Sequence, residues 1–254
     1  MEIRSDLKEA LQKDIEELGL TEYEELIFQS LTPALRIRVQ PDKQVTIGCS
    51  KFGGKPDVPP DFVYPTSADG KPQTFLAQYR LEDLARFPLA KDLPDTGMLY
   101  FFHVEFPEHG HDEWAVIYWD GDDSQLRPSK QETDYTHPQA AISFEEQLSG
   151  DFDDFRMDID HPLFHYPHFD RFETLQQKHC ICFGHQLLGK PFGLQPWLFE
   201  ERERVNNLIL LLQLDQEPKL EMIWAEGGMI YFFIDPADLK RRDFSKAYYE
   251  FQCL

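Results

Sequence analysis

Gly97-Met98-Leu99-Tyr100-Phe101-Phe102 and Gly228-Met229-Ile230-Tyr231-Phe232-Phe233 are the stretches on which a reading of this chain turns. Each opens on a glycine and then runs through apolar and aromatic side chains without a polar break. That is the composition of an apolar strand entered through a Gly turn. Two earlier matches precede them in the same order. Gly54-Lys55-Pro56 returns as Gly189-Lys190-Pro191, and Gln78, after Phe75-Leu76-Ala77, is as far from the first tripeptide as Gln213, after Leu210-Leu211-Leu212, is from the second. Ordered self-similarity of this kind predicts two copies of one supersecondary unit sharing a hydrophobic interior, because such units do not bury their apolar faces alone. The expected fold class is therefore α+β: a mainly antiparallel sheet built from two related halves, with an N-terminal helical segment and few short helices.

Outward from these strands, the chain divides into one domain spanning residues 1–254. Residues 1–34 read as helical: Leu7, Leu11, Ile15 and Leu18 form one stripe at helical spacing, Gly19 ends it, and a shorter helix carries Tyr23, Leu26 and Ile27. The first half is expected over about 35–120. It opens with a hairpin in which Leu35, Ile37 and Val39 turn at Pro41-Asp42 to meet Val45, Ile47 and Cys49. Residues 51–74, rich in Gly and Pro, read as a long irregular loop. Strands follow at 75–81, 98–106 and 113–119. An irregular acidic connector is expected over about 121–178, with a helical piece near 143–148. The second half, about 179–254, places strands at 179–183, 208–214, 220–224, 229–234 and 248–253, and a short helix after Asp235-Pro236.

Composition bounds the function. Against 25 Lys and Arg stand 46 Asp and Glu, a formal charge of −21. Such a surface repels phosphate backbones and anionic lipid, so neither nucleic acid nor membrane is an expected partner, which leaves a basic protein partner, a cation, or no steering role at all. The run Lys240-Arg241-Arg242 is short and flanked by Asp238 and Asp243. No apolar run is long enough to span a bilayer, the first residues carry no signal-type segment, and four cysteines are few for this length. A cytoplasmic chain with reduced thiols is the expectation.

Candidate chemistry is sparse. Gln78 and Gln213 place amides in apolar strands, where each must find hydrogen bonds. They read as clamps on the Gly-Pro loops or as lining of a shared cleft, with Gln195 as a further candidate. Three histidine-bearing stretches are weighed as metal ligands. His109 and His111, after His103, flank a turn whose plainer reading is a polar hairpin loop. Asp158, Asp160, His161, His165 and His168 are interrupted by Pro162 and Pro167, which breaks a helical ligand face and favours a solvated loop. Cys180, Cys182 and His185 lack the C-x-x-C spacing of zinc knuckles, and packing cysteines are the plainer reading. No phosphate loop, dinucleotide fingerprint or nucleophile elbow is present, and no cofactor is expected.

The same residues carry a resemblance. Lys51-Phe52-Gly53-Gly54-Lys55-Pro56 with Tyr64-Pro65, Phe75-Leu76-Ala77-Gln78 and Gly97–Phe102 resemble the first part of the YwqG-like family. Gly189-Lys190-Pro191, Gln195, Leu211-Leu212-Gln213-Leu214, Tyr231-Phe232-Phe233-Ile234 and Asp238-Leu239 resemble its second. The chain departs where Trp224-Ala225-Glu226 replaces a Trp-Gly-Asp segment and Tyr64 replaces a Trp. The family is a bacterial domain of unknown function, so no catalytic residue carries over. The resemblance implies a protein partner, as in immunity or accessory proteins of secreted-toxin systems. A non-enzymatic protein-binding module is the first expectation, and an enzyme, small-ligand or metal binder using a cleft between the repeats is the alternative.

Overall fold

In the computed structural model, residues 3–104, 113–150, 162–181, 183–195 and 204–253 are described. Their strands, in chain order, are β1 (Leu31–Gln40), β2 (Lys51–Phe52), β3 (Asp57–Val58), β4 (Thr74–Arg80), β5 (Met98–His103) and β6 (Trp114–Trp119). There follow β7 (Arg127–Pro128), β8 (Ala140–Gly150), β9 (His185–Leu187), β10 (Ile209–Leu214), β11 (Met229–Ile234) and β12 (Tyr248–Gln252). The helices are α1 (Ser5–Glu17), α2 (Glu24–Ser30), α3 (Glu82–Ala85), α4 (His168–His179) and α5 (Pro236–Lys240).

Among these residues ten strands form one sheet in the order β12-β11-β10-β9-β1-β8-β2-β4-β5-β6, and β3 pairs with β7 outside it. At its centre β1 and β8 run antiparallel, from Leu31 opposite Gly150 to Gln40 opposite Ala141. Ile37 faces Phe144 and Val39 faces Ile142 across this pair. Its other face is polar: Arg38 Nε lies 2.6 Å from Glu145 Oε1, Arg36 Nη1 donates to Gln147 Oε1 at 3.4 Å, and Gln40 Nε2 donates to Ser143 Oγ at 3.0 Å. Cross-strand pairs of this kind set register, because a slip of one residue would bury the charges.

The sheet curls until its edges nearly meet. Trp114 on β6 stacks on Tyr249 of β12, with centroids 5.5 Å apart, and its Nε1 donates to Ala247 O at 2.8 Å. Inside, Phe101 and Phe232 meet at 5.2 Å, and Tyr79 and Phe144 pack beside them. The result is a nearly closed barrel filled by its own rings. Gly97 shows why a glycine opens β5: with φ of +94°, a Cβ there would lie 2.3 Å from Trp119 O. Outside the barrel, α1, α2 and α4 pack together through Leu11, Ile15, Ile27, Phe172 and Leu175, onto Leu31 and Leu148 of the central pair.

This architecture corrects the expected fold class. The chain is mostly antiparallel sheet with few helices, and it does not resolve into an α+β assembly of two related halves. The sheet is continuous, and its longest strand, β8, comes from the region read as irregular connector. The similar sequences of β5 and β11 answer a shared local demand, since every residue of both is buried. Four local readings are corrected with it. Residues 143–148 are strand, because cross-strand packing overrides the helix propensity of Glu145-Glu146-Gln147. Val45–Cys49 does not pair with β1, whose neighbours are β8 and β9, and Ile47 is 56% exposed. His179 ends α4, and Cys180 forms only an isolated parallel bridge to Leu148. Residues 220–224 form no strand beyond the isolated bridge of Met222 to Glu217.

Because Phe232 touches both Phe101 and Tyr249, Phe232→Ala is expected to destabilise the fold by about 3–5 kcal/mol. The readout is the midpoint of chemical denaturation. A loss below about 1 kcal/mol would show that the barrel interior does not depend on this ring.

Candidate functional site

Buried polar side chains gather at three places. At the first, the loop after β2 folds over β4 and β5. Gln78 is fully buried, and its Oε1 accepts from Asp57 N at 2.8 Å. Its Nε2 donates to Cys49 O at 2.8 Å and to Asp57 Oδ2 at 2.9 Å. Lys51 Nζ lies 2.9 Å from the same carboxylate oxygen, Gly48 N donates to it at 3.0 Å, and Tyr100 Oη donates to Asp57 O at 2.7 Å. Lys51 and Asp57 are both almost completely buried. A buried charge pair is tolerable only when further hydrogen bonds support it, and here Gly48 N and Gln78 Nε2 join Lys51 at the same carboxylate oxygen. The chemistry is that of a fixed loop, since Gln78, Asp57, Lys51 and Tyr100 are bound to one another or to its backbone.

At the second, Gln213 on β10 accepts at Oε1 from Phe192 N at 2.8 Å and from Gln186 Nε2 at 2.9 Å, and donates to Gly184 O at 2.9 Å. Tyr231 Oη donates to Phe192 O at 2.6 Å. Gln195 is exposed and donates to Cys253 O at 2.6 Å. Nearby His185 is buried, with Nδ1 accepting from Asp215 N at 3.1 Å and Nε2 lying 3.9 Å from Glu217 Oε2. That imidazole holds the Glu217 carboxyl below the usual carboxylate range.

The third cluster, at one end of the barrel, was not singled out from the sequence. His103 ends β5, His137 precedes β8, and Trp224 precedes β11; all three are buried. The indole stands edge-on to both imidazoles, at 5.4 Å from His103 and 5.8 Å from His137. His103 Nε2 and both ring nitrogens of His137 have no hydrogen-bond partner. Burial, and to a lesser extent the neighbouring His137, push the His103 pKa down to about 3. Burial also lowers that of His137, although the carbonyls of Glu221 and Leu220 lie near enough to oppose it without completing hydrogen bonds. Only the unpartnered state of these nitrogens marks the cluster, and that has no sequence signal.

Of the metal candidates, Cys180 and His185 are described. Cys180 is buried at the end of α4, and His185 is engaged as above. Cys182, His109 and His111 lie outside the described residues, as do Asp158, Asp160 and His161. Among the described residues no three His, Cys, Asp or Glu side chains converge as metal ligands. No helix among them is long and apolar enough to cross a membrane.

A family model described as a domain of unknown function (DUF1963) matches residues 50–253, and the chain belongs to that family. No curated protein matches it.

Removing Asp57 leaves Lys51 buried without its counter-charge, so Asp57→Ala is expected to cost about 3–5 kcal/mol in denaturant unfolding. Replacing both partners, as Lys51→Met with Asp57→Leu, removes the stranded charge and is expected to cost less than the single change. Equal losses would show that the stranded Lys51 charge is not what makes the single change costly.

Proposed function

We propose that this chain is a YwqG-like, non-enzymatic, cytoplasmic protein-binding module whose partner presents a basic segment to the groove between α1 and α2. The groove encloses about 1080 Å³ and is lined by Ile3, Lys8, Glu9, Glu22, Glu25 and Phe28, among others. The observation that carries the reading is the pairing of acidic walls with an aromatic ring that already receives a cation. Glu9, Glu22 and Glu25 are exposed, and Lys8 Nζ sits 5.8 Å above the Phe28 ring. An incoming Lys or Arg would meet three carboxylates, and would reach the ring face by displacing Lys8. The net charge of −21 favours such a partner at long range.

Occupation of the barrel interior by Phe101 and Phe232 favours recognition on the outer surface. A role beside a toxin, as immunity or accessory protein, accords with a basic partner and is part of the same proposal.

The test uses a fluorescently labelled lysine-rich peptide and anisotropy. Binding is expected to weaken steeply as salt rises to about 0.15 M, where the screening length falls to about 8 Å. Glu22→Lys with Glu25→Lys is expected to weaken it about tenfold, roughly 1.4 kcal/mol. Salt-insensitive binding, or an unchanged affinity in the double variant, would overturn the assignment.

A further inference from the structure

We propose that His103, His137 and Trp224 form a latch that closes one end of the barrel while both imidazoles are neutral and releases the 215–228 segment when they take up protons. The geometry is that of a single indole held between two rings from different parts of the chain. Trp224 Nε1 donates to Asp215 O at 3.2 Å, and Gly228 N donates to Trp224 O at 2.6 Å, so the indole organises its own segment. A second tie runs beside it: Tyr135 packs on His137 at 4.8 Å, and its Oη donates to Glu221 Oε2 at 2.8 Å.

The segment so held is strained. Glu221 and Ala225 adopt φ of +55° and +43°, a region that side-chain-bearing residues rarely enter. Strain of this kind persists only where surrounding contacts impose it, which makes the segment a candidate for release.

The charged surroundings favour the neutral state. From β5, His103 faces His137, whose charge would oppose its own. From the 215–228 side, Glu221 is the carboxylate near His137, and it is exposed and already engaged by Tyr135. Glu217 faces His185 instead, and Asp215 N is bound by the same ring. A proton added at His103 Nε2 would thus be a buried charge with no acceptor in place, and one added to His137 would find only the carbonyls of Glu221 and Leu220 nearby. The closed-state pKa values lie below the open-state value of about 6.5, so the two states bind protons equally above that pH. As pH falls below it, the open state gains protons that the closed state refuses. Opening is then favoured by up to about tenfold per pH unit for each histidine, down to about 3 for His103.

Hydrogen exchange of the full chain, corrected for the intrinsic pH effect, tests this at about pH 7 and about pH 5.5. Amides of 215–228 are expected to lose protection at least tenfold on acidification, while those of β1 and β8 keep theirs. Unchanged protection in 215–228, or loss in step with β1 and β8, would overturn the proposal. His103→Gln with His137→Gln is expected to abolish the response. If that variant folds and still opens in acid, other groups control the segment and the latch is wrong.

Discussion

Everything in this barrel is built on the antiparallel pairing of β1 with β8. These are the longest strands, and each carries a neighbouring part of the sheet on its far side, β9 on β1 and β2 on β8. Their pairing has an apolar face that enters the barrel and a polar face that carries Arg36 and Arg38 against Gln147 and Glu145. The second face does more than solvate the strand. It makes every shifted register worse, because a one-residue slip would turn these charges inward and Ile37 and Phe144 outward.

Closure follows from that centre. Curling ten strands brings β6 and β12 together, and aromatic side chains complete the wall where backbone pairing stops. Trp114 suits this seam because its flat face stacks while its N–H reaches a carbonyl. Closed walls leave irregular loops to lie on the outside, where their backbone groups need partners. Buried glutamines answer that need, since one amide offers an acceptor and two donors at once. Gln78 uses both kinds on residues 49–57, and Gln213 uses both kinds on Gly184 and Phe192.

How much of this could be read beforehand depended on whether a segment's environment is written in its own residues. The strands β4, β5, β6, β10, β11 and β12 were legible because unbroken apolar or aromatic runs bounded by turn residues have few other uses. The stripe of α1 was legible for the same reason. β8 was not: Glu145-Glu146-Gln147 favours helix locally, and its strand character comes from Arg36 and Arg38 over a hundred residues away. The partner of β1 was misassigned by proximity, since Pro41-Asp42 does turn the chain but Val45–Cys49 has no neighbouring strand there. Of the candidate polar residues, Gln78 and Gln213 stood out because an amide in an apolar strand needs explanation. His137 and Trp224 did not, because isolated residues in loops carry no pattern until folding brings them together.

The expectation of two related halves failed for a local reason. Recurrence of Gly-Met-Leu/Ile-Tyr-Phe-Phe reports on the immediate duties of a strand: a close approach at its entry and burial on both faces. It is silent on what lies between such strands, and there the sheet is decided. The span shared with the DUF1963 family makes the same point from another side. That match begins at residue 50, whereas β1 ends at Gln40. Without β1, β8 and β9 would have no common neighbour, and the sheet would part into two pieces with exposed edges. The residues before the matched span are therefore integral to the barrel, and α1 and α2, which pack against the start of β1 through Leu31, are anchored to its central strand rather than appended to its surface.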